Sequence, residues 1–342
     1  MADSPTGAPP ADPAVLRNMI FGFWSLRAIY VAAELGVADH LASGPRDSEE
    51  LAKACQTDAS ALYRVLRALA SVGLLSEPEP RHFALTPLGQ FLRSDTPGSM
   101  RALARMLGSH WHWRTFEGIL ESVRTGEPAM AKMVGQPLYT YLGQNPEQEK
   151  IFDHSMTSFS SVENDAIRDA WAFLTSGTLV DVGGGRGHLL ATLLNAHPGL
   201  RGILFDRPSV VANEQDAVNA HGLDARCERV GGDFFESVPS GADAYLLKYI
   251  LHNWNDERTG AILRNCRRAM KPSARLLLVE QVVQPGNSPD PAKLLDLEML
   301  VLVGGRERTE EEFRGLLADS GFSLVRVVPT RRALSIVEAS PV

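Results

Sequence analysis

One stretch constrains this chain more than any other. Thr178-Leu179-Val180-Asp181-Val182 is a short apolar run, and Gly183-Gly184-Gly185-Arg186-Gly187 follows it directly. His188-Leu189-Leu190-Ala191-Thr192-Leu193-Leu194 then has a helical pattern. Strand, glycine turn and helix start, in that order, build a nucleotide site at the carboxyl end of the first strand of a parallel sheet. Glycine is needed because the turn is tight and the ligand lies against the backbone. From Thr178 onward, short apolar runs alternate with helical stretches, the pattern of a parallel α/β sheet.

The spacing narrows the ligand. A dinucleotide fingerprint puts a small residue sixth from the first glycine, where this chain has His188, and no Gly-Lys-Ser/Thr of a P-loop is present. What remains is Asp-x-Gly-x-Gly-x-Gly from Asp181, which resembles the S-adenosylmethionine loop of class I methyltransferases. That ligand carries no pyrophosphate, and an acid ahead of the glycines suits its ammonium group. A second strand ends in Asp206, about 20 residues past the loop, where a carboxylate can accept ribose hydroxyls. Gly232-Asp233-Phe234-Phe235 follows a third strand; Asp233 could bond an adenine amino group and Phe234 cover the ring. The fourth strand, 242–248, runs into Tyr249-Ile250-Leu251-His252-Asn253-Trp254, which puts His252 near the same sheet edge.

The first half reads as helices and one hairpin. Residues 19–42 are apolar on almost every side, so a helix there must be buried all round, in a core or against a second subunit. Arg27, Glu34 and Asp39 interrupt it, which argues against a membrane span. Asp47 and Asp58 open two short helices, the second with Leu62, Val65, Leu66 and Leu69 on one face. A hairpin-like stretch around Gly73-Leu74-Leu75 and Phe83-Ala84-Leu85-Thr86 completes a winged-helix pattern. Such elements often bind DNA, but residues 1–100 carry eight basic and eleven acidic side chains, and phosphate binding needs a positive surface. A dimerising role is expected instead, with no nucleic-acid and no membrane partner. The whole chain carries a net charge of −7, which agrees.

Cys55, Cys227 and Cys266 are far apart and form no CxxC pair, so neither a disulfide framework nor a cysteine zinc site is expected, and cytoplasm is the expected compartment. The first thirteen residues, rich in proline and without an apolar run, read as a disordered tail rather than a signal peptide. The expected organisation is therefore tail 1–13, helical platform 14–165 and catalytic domain 166–342.

Several motifs in one order carry a wider resemblance. LVDVGGGRG, FDRPSVV, GGDFFESVP, LLKYILHNWNDE, LLLVEQVV and DLEMLVLVGGRERTEEEF, with RALASVGLL and LTPLGQFL in the first half, are similar to the plant-type small-molecule O-methyltransferases. That family includes caffeic acid O-methyltransferase and bacterial enzymes that methylate aromatic antibiotics. The resemblance implies a class I methyltransferase, Rossmann-like, mostly parallel seven-stranded sheet with a helical, winged-helix N-terminal dimerisation domain. It implies that Gly183, Asp206, Asp233, Phe234 and Lys248 bind S-adenosylmethionine, which leaves as S-adenosylhomocysteine. It implies His252 as general base flanked by Glu280 and Glu307, Met156 and Met299 at an acceptor pocket, no metal, a small aromatic substrate and a homodimer. Further pocket walls are expected from 110–113, 130–133, 152–159 and 299–303. Two positions depart from the family: Asn253 replaces the usual acid after the base, and Arg207 follows Asp206. Fold members that keep the cofactor for a pericyclic, decarboxylation or hydroxylation step tend to lose the base set, which this chain keeps. A winged-helix regulator is the remaining rival, opposed by the acidic first half.

Overall fold

The computed structural model describes residues 12–212 and 216–342, of which 159–162 are described by their backbone alone. The expected tail lies outside the described residues up to position 11. The chain divides into two compact units, one taking residues up to Trp113 together with Pro146–Ser158, the other Arg114–Asn145 and Phe159–Val342.

In the first unit, α1 (Pro13–Leu35) starts on Asp12, whose side chain accepts from the Ala14 N–H at 2.8 Å. The single helix expected over 19–42 is in fact broken at Gly36, which takes φ +67° and closes α1 before α2 (Val37–His40). A left-handed residue ends a helix whatever the apolar pattern beyond it, and glycine adopts it without a Cβ penalty. Asp47 and Asp58 cap α3 (Ser48–Cys55) and α4 (Ala59–Ser71), as their positions predict. Leu51, Leu62, Leu66, Leu69 and Phe83 form the buried centre of this unit. The wing has three strands, not two. β1 (Arg46–Asp47) adds to the hairpin of β2 (Leu75–Glu79) and β3 (His82–Leu85), pairing antiparallel with β3. Helices α5 (Arg101–Gly108), α6 (His110–Glu117), α7 (Ile119–Thr125), α8 (Met130–Val134), α9 (Leu138–Gln144) and α10 (Pro146–Ala170) follow along the chain.

The second unit is built on the sheet. The strands are β4 (Ser176–Val182), β5 (Gly199–Asp206), β6 (Cys227–Gly231), β7 (Ala244–Lys248), β8 (Arg275–Val283), β9 (Arg308–Thr309), β10 (Phe322–Pro329) and β11 (Leu334–Pro341). Seven run side by side in the order β10-β11-β8-β7-β4-β5-β6, and the two-residue β9 pairs with the end of β8. β4 to β8 are parallel; β11 enters antiparallel between β8 and β10. The connecting helices are α11 (His188–Ala196), α12 (Pro208–Val211), α13 (Ala217–Ala220), α14 (Asp256–Ala269), α15 (Pro291–Leu302) and α16 (Glu310–Ala318). Apolar clusters bury both faces: Leu179, Leu190, Leu204 and Leu246 on one, Val180, Tyr245, Ile262 and Leu278 on the other. From β4 the chain winds outward to β5 and β6, then returns to place β7 and β8 on the other side. The strand order therefore reverses between β4 and β7. In open parallel sheets the ligand crevice lies at that reversal, outside the carboxyl ends of the strands.

Candidate active site

The glycine loop leaves β4 at this crevice. Gly183 takes φ +73°, and a Cβ on it would come within 2.4 Å of Ile250 Cδ1. A Cβ on Gly184 would meet Leu204 Cδ1 at 2.5 Å and Asp181 Oδ2 at 2.6 Å, so a side chain at either position would have to displace its neighbours. Gly183 N–H donates to the Phe205 carbonyl at 2.7 Å, which pins the loop to β5. Asp206 holds it from the other side: its Oδ2 accepts from Gly185 N–H at 2.9 Å and its Oδ1 from Arg207 N–H at 2.7 Å. Asp206 thus meets the loop as well as the crevice where a ribose is expected.

Asp181 is buried at the end of β4, and burial, with Asp206 nearby, pushes its carboxyl up to about 7 against the pull of Lys248. Lys248 ends β7 with its Nζ 3.1 Å from Glu163 Oε2 and donating to Asn164 Oδ1 at 3.2 Å. Burial lowers the Lys248 pKa, opposed chiefly by Glu163. Asp233 accepts from Phe235 N–H at 2.8 Å, fixing the turn after β6, and Asn265 Nδ2 donates to the Phe234 carbonyl at 2.8 Å. The Phe234 ring packs edge-on against Phe235 and Trp254 and lies 3.7 Å from where a Cβ on Gly183 would stand. Two carboxylates, one lysine and an aromatic face surround the loop. That donor set fits a nucleoside bearing a positive charge. A pyrophosphate would face carboxylates instead of cations there.

Next to this crevice three side chains converge from three elements. His252 sits on the 3-10 turn Leu251–Asn253 that follows β7, Glu280 on β8 and Glu307 just ahead of β9. His252 Nδ1 lies 2.7 Å from Glu307 Oε1. Glu280 is fully buried, and its Oε1 accepts from Leu251 N–H at 3.0 Å, so it anchors the turn that carries the histidine. The second oxygens of Glu280 and Glu307 are buried without a hydrogen-bond partner among the described residues. Burial draws the His252 pKa down, but Glu280 and the bonded Glu307 outweigh it, and the net shift is upward. Burial and Glu307 raise the Glu280 carboxyl, while His252 lowers it. The same three side chains offer ligating atoms within 4.8 Å of one another. The 2.7 Å Nδ1–Oε1 bond is the contact an acid–base pair requires.

The scaffold behind the pair escapes a reading of the sequence. Arg306 N–H donates to the His252 carbonyl at 2.9 Å, and Glu307 N–H donates to Asp296 Oδ1 at 2.7 Å. Arg308 is buried, and its guanidinium reaches the Leu251 carbonyl at 3.2 Å, the Trp254 carbonyl at 2.9 Å and Asp256 at 2.8 Å. Asn253, where the family has an acid, donates from Nδ2 to the Tyr249 carbonyl at 2.8 Å and closes the turn. The Arg207 guanidinium lies 5.9 Å from the centre of the Tyr139 ring. Met299 is buried on α15 in the second unit, whereas Met156 is exposed on α10 in the first. Tyr249, Glu163, Gln281, Asp296 and Arg308 carried no signal in sequence. Only a positive φ at Tyr249 and burial of Arg308, both invisible there, mark them.

Comparison with known proteins places these features. Residues 116–323 match the O-methyltransferase domain family and residues 18–95 the O-methyltransferase dimerisation domain. A phenazine O-methyltransferase of Lysobacter antibioticus is 45% identical, over 96% of both chains. The mitomycin biosynthesis 6-O-methyltransferase of Streptomyces lavendulae is 40% identical, over 95% of this chain and 93% of that one. An O-methyltransferase from neocarzinostatin biosynthesis, solved with S-adenosylmethionine and 2-hydroxy-5-methyl naphthoic acid, superposes with a TM-score of 0.81 at 34% identity, covering 93% of this chain and 96% of that one. The cofactor is S-adenosylmethionine, which the glycine loop and its acids fit. With the fold, the loop and both domain matches in agreement, this chain belongs to the plant-type, S-adenosylmethionine-dependent small-molecule O-methyltransferases.

Proposed function

We propose that this enzyme methylates a phenolic or enolic hydroxyl of a small aromatic secondary metabolite, with His252 as the general base. The observation that carries the reading is the 2.7 Å bond between His252 Nδ1 and Glu307 Oε1 at the crevice edge. S-adenosylmethionine supplies an electrophilic methyl group, so the protein's task is to make a hydroxyl oxygen nucleophilic. A phenol ionises near ~10 and an unperturbed imidazole near ~6.5, so His252 accepts the proton as the oxygen reacts, not beforehand. Glu307 on Nδ1 leaves Nε2 as the accepting atom and holds the ring in that tautomer. The upward pull of Glu280 and Glu307 on the imidazole stabilises the imidazolium that forms. General-base assistance of this kind contributes ~10²–10⁴ in rate.

Gly183 and its neighbours shape the cofactor cradle, and Asp206, Asp233, Phe234 and Lys248 are its polar and stacking contacts in this reading. Met299, buried on α15, is assigned to the acceptor pocket, where an adaptable thioether side chain suits a flat aromatic ring. One relative named above is a phenazine O-methyltransferase and another was solved with 2-hydroxy-5-methyl naphthoic acid, which supports an aromatic acceptor. A homodimer is proposed as well. Leu16, Met19, Ile20 and Trp24 on α1 are each at least 60% exposed, and the matched dimerisation domain spans that helix from residue 18.

Cell extract incubated with enzyme and methyl-labelled S-adenosylmethionine should yield a labelled aromatic metabolite in mass spectrometry. On that acceptor, His252→Gln should lower kcat by about 10²-fold or more while cofactor still binds. Full turnover in that variant would end the general-base assignment.

A further inference from the structure

The turn that carries His252 begins with a residue in an unusual state. Tyr249 has φ +53°, one of three described non-glycine residues at positive φ, and the only aromatic among them. A bulky side chain pays for that conformation, and it persists only where the surroundings over-determine it. Here they do. Tyr249 N–H donates to the Val279 carbonyl at 3.1 Å, and its carbonyl accepts from Asn253 Nδ2 at 2.8 Å. The hydroxyl donates to Glu163 Oε1 at 2.9 Å and accepts from Gln281 Nε2 at 3.2 Å. The ring lies against the His252 imidazole, centroids 4.9 Å apart and planes 30° from parallel.

We propose that Tyr249 is a positioning residue for the general base: its ring braces one face of the His252 imidazole, and its hydroxyl, tied to Glu163 and Gln281, locks the ring in place. The inference rests on His252 acting as the base. A tyrosine needed only to fill space would require neither left-handed backbone nor two hydroxyl partners. The strained backbone directs the side chain back over the turn, to the imidazole three residues on. With one face covered, the imidazole keeps its Nδ1 on Glu307 and its Nε2 toward the acceptor. The ring face also lies where the imidazolium charge develops, which favours the protonated form.

The charged groups around the pair come from every neighbouring element. They are Glu163 on α10, Lys248 at the end of β7, Glu280 on β8, Glu307, and Arg308 on β9. Lys248 Nζ lies 5.5 Å from the Tyr249 ring centre, so the same ring borders the cofactor lysine and the base. Tyr249→Phe and Tyr249→Leu both take the hydroxyl from Glu163, so a change in the base's titration found only in Tyr249→Leu reports the ring itself.

Tyr249→Phe keeps the ring and loses both hydroxyl bonds. It should lower kcat about threefold with KM for both substrates and the acid limb of kcat/KM unchanged. Tyr249→Leu removes the ring. It should lower kcat about tenfold or more, and the ratio of kcat/KM at pH 6 to that at pH 9 should rise about threefold, because the imidazolium loses a favourable contact. A filler role would move the melting temperature and leave that ratio unchanged. An unchanged ratio in Tyr249→Leu, or an unchanged kcat in Tyr249→Phe, overturns the inference; if Tyr249→Leu does not fold, Tyr249→Phe decides alone. His252→Gln run alongside separates the two readings: loss of turnover there with no effect at Tyr249 refutes the bracing alone.

Discussion

Gly305 offers the sharpest test of how the site is held. It lies in the loop between α15 and β9, two residues ahead of Glu307, and has no need of a positive φ. What it needs is space. A Cβ there would sit 2.0 Å from the His252 carbonyl oxygen, 2.6 Å from Asn253 C and 2.9 Å from Asn253 Cα. All three are backbone atoms, so no side-chain rotation relieves the clash. Real Cβ contacts do not fall below 3.0 Å, so Gly305→Ala must drive the two loops apart by about 1 Å. The Arg306 N–H bond to the His252 carbonyl, now 2.9 Å, and the 2.7 Å His252–Glu307 bond both span that gap. Neither survives such a shift as a good hydrogen bond. We expect kcat to fall by about 10²-fold, the scale of a 1 Å misplacement of a catalytic group. We expect stability to fall by about 1–3 kcal/mol from overpacking. Cofactor affinity should hold, because the glycine loop is not touched. The assay is turnover with labelled cofactor, beside isothermal titration with S-adenosylhomocysteine and a thermal melt. Gly315→Ala is the control: it lies within α16 with nothing within 4 Å of a Cβ, and should be neutral or stabilising by about 0.5–1 kcal/mol. If Gly305→Ala turns over within a few-fold of wild type, the two loops do not position the base, and the reasoning fails.

Three further outcomes follow from the same contacts. Glu307→Gln removes a charge that raises the His252 pKa, so the acid limb of kcat/KM should move to lower pH while kcat falls by about 10²-fold; a limb that stays or rises contradicts the assignment. Arg308→Met strips the Leu251 and Trp254 carbonyls of their charged donor and should cost about 2 kcal/mol in a chemical melt, less than a fully buried pair because Asp256 is exposed. Ile20→Asp puts a charge on the exposed apolar face of α1; sedimentation should show a dimer in the parent and a monomer in the variant, and an unaltered dimer would place the contact elsewhere.

How far the fold could be read depended on whether the signal was local. The first strands of the sheet stand out because each is a short apolar run closed by a glycine or an acid, as in Leu179–Val182 before Gly183 or Leu204–Phe205 before Asp206. The caps Asp47 and Asp58 are equally local, since each accepts from an N–H two or three residues away. Gly36 was passed over for the opposite reason. Apolar residues continue on both sides of it, and a pattern of hydrophobicity carries no record of a single φ. β1 is two residues long, and its pairing with Phe83 and His82 is decided by the hairpin, not by Arg46 or Asp47 themselves.

The site divides along the same line, with one difference. The glycine loop and the acids after β4 and β5 could be named from spacing, because the chemistry there is done by one strand–turn–helix unit and its neighbour. His252 could be placed at the sheet edge from its position after β7, but Glu280, Glu307 and the set the three form could be named only through resemblance. They lie on a turn, a strand and a loop, and the 2.7 Å bond joins residues 55 apart. The residues that hold them could not be named at all. Arginine is seldom buried, yet Arg308 is nearly inaccessible and supplies donors to a turn that would otherwise have orphaned carbonyls. Nothing in the sequence sets Gly305 apart from other loop glycines, and its role exists only relative to the His252 carbonyl it faces. A general base needs a carboxylate at one nitrogen, clear approach at the other and a backbone that cannot drift. The first two requirements are met by residue types that sequence reveals. The third is met by close approach, burial and backbone angle, and these arise only once β7, β8 and β9 lie side by side.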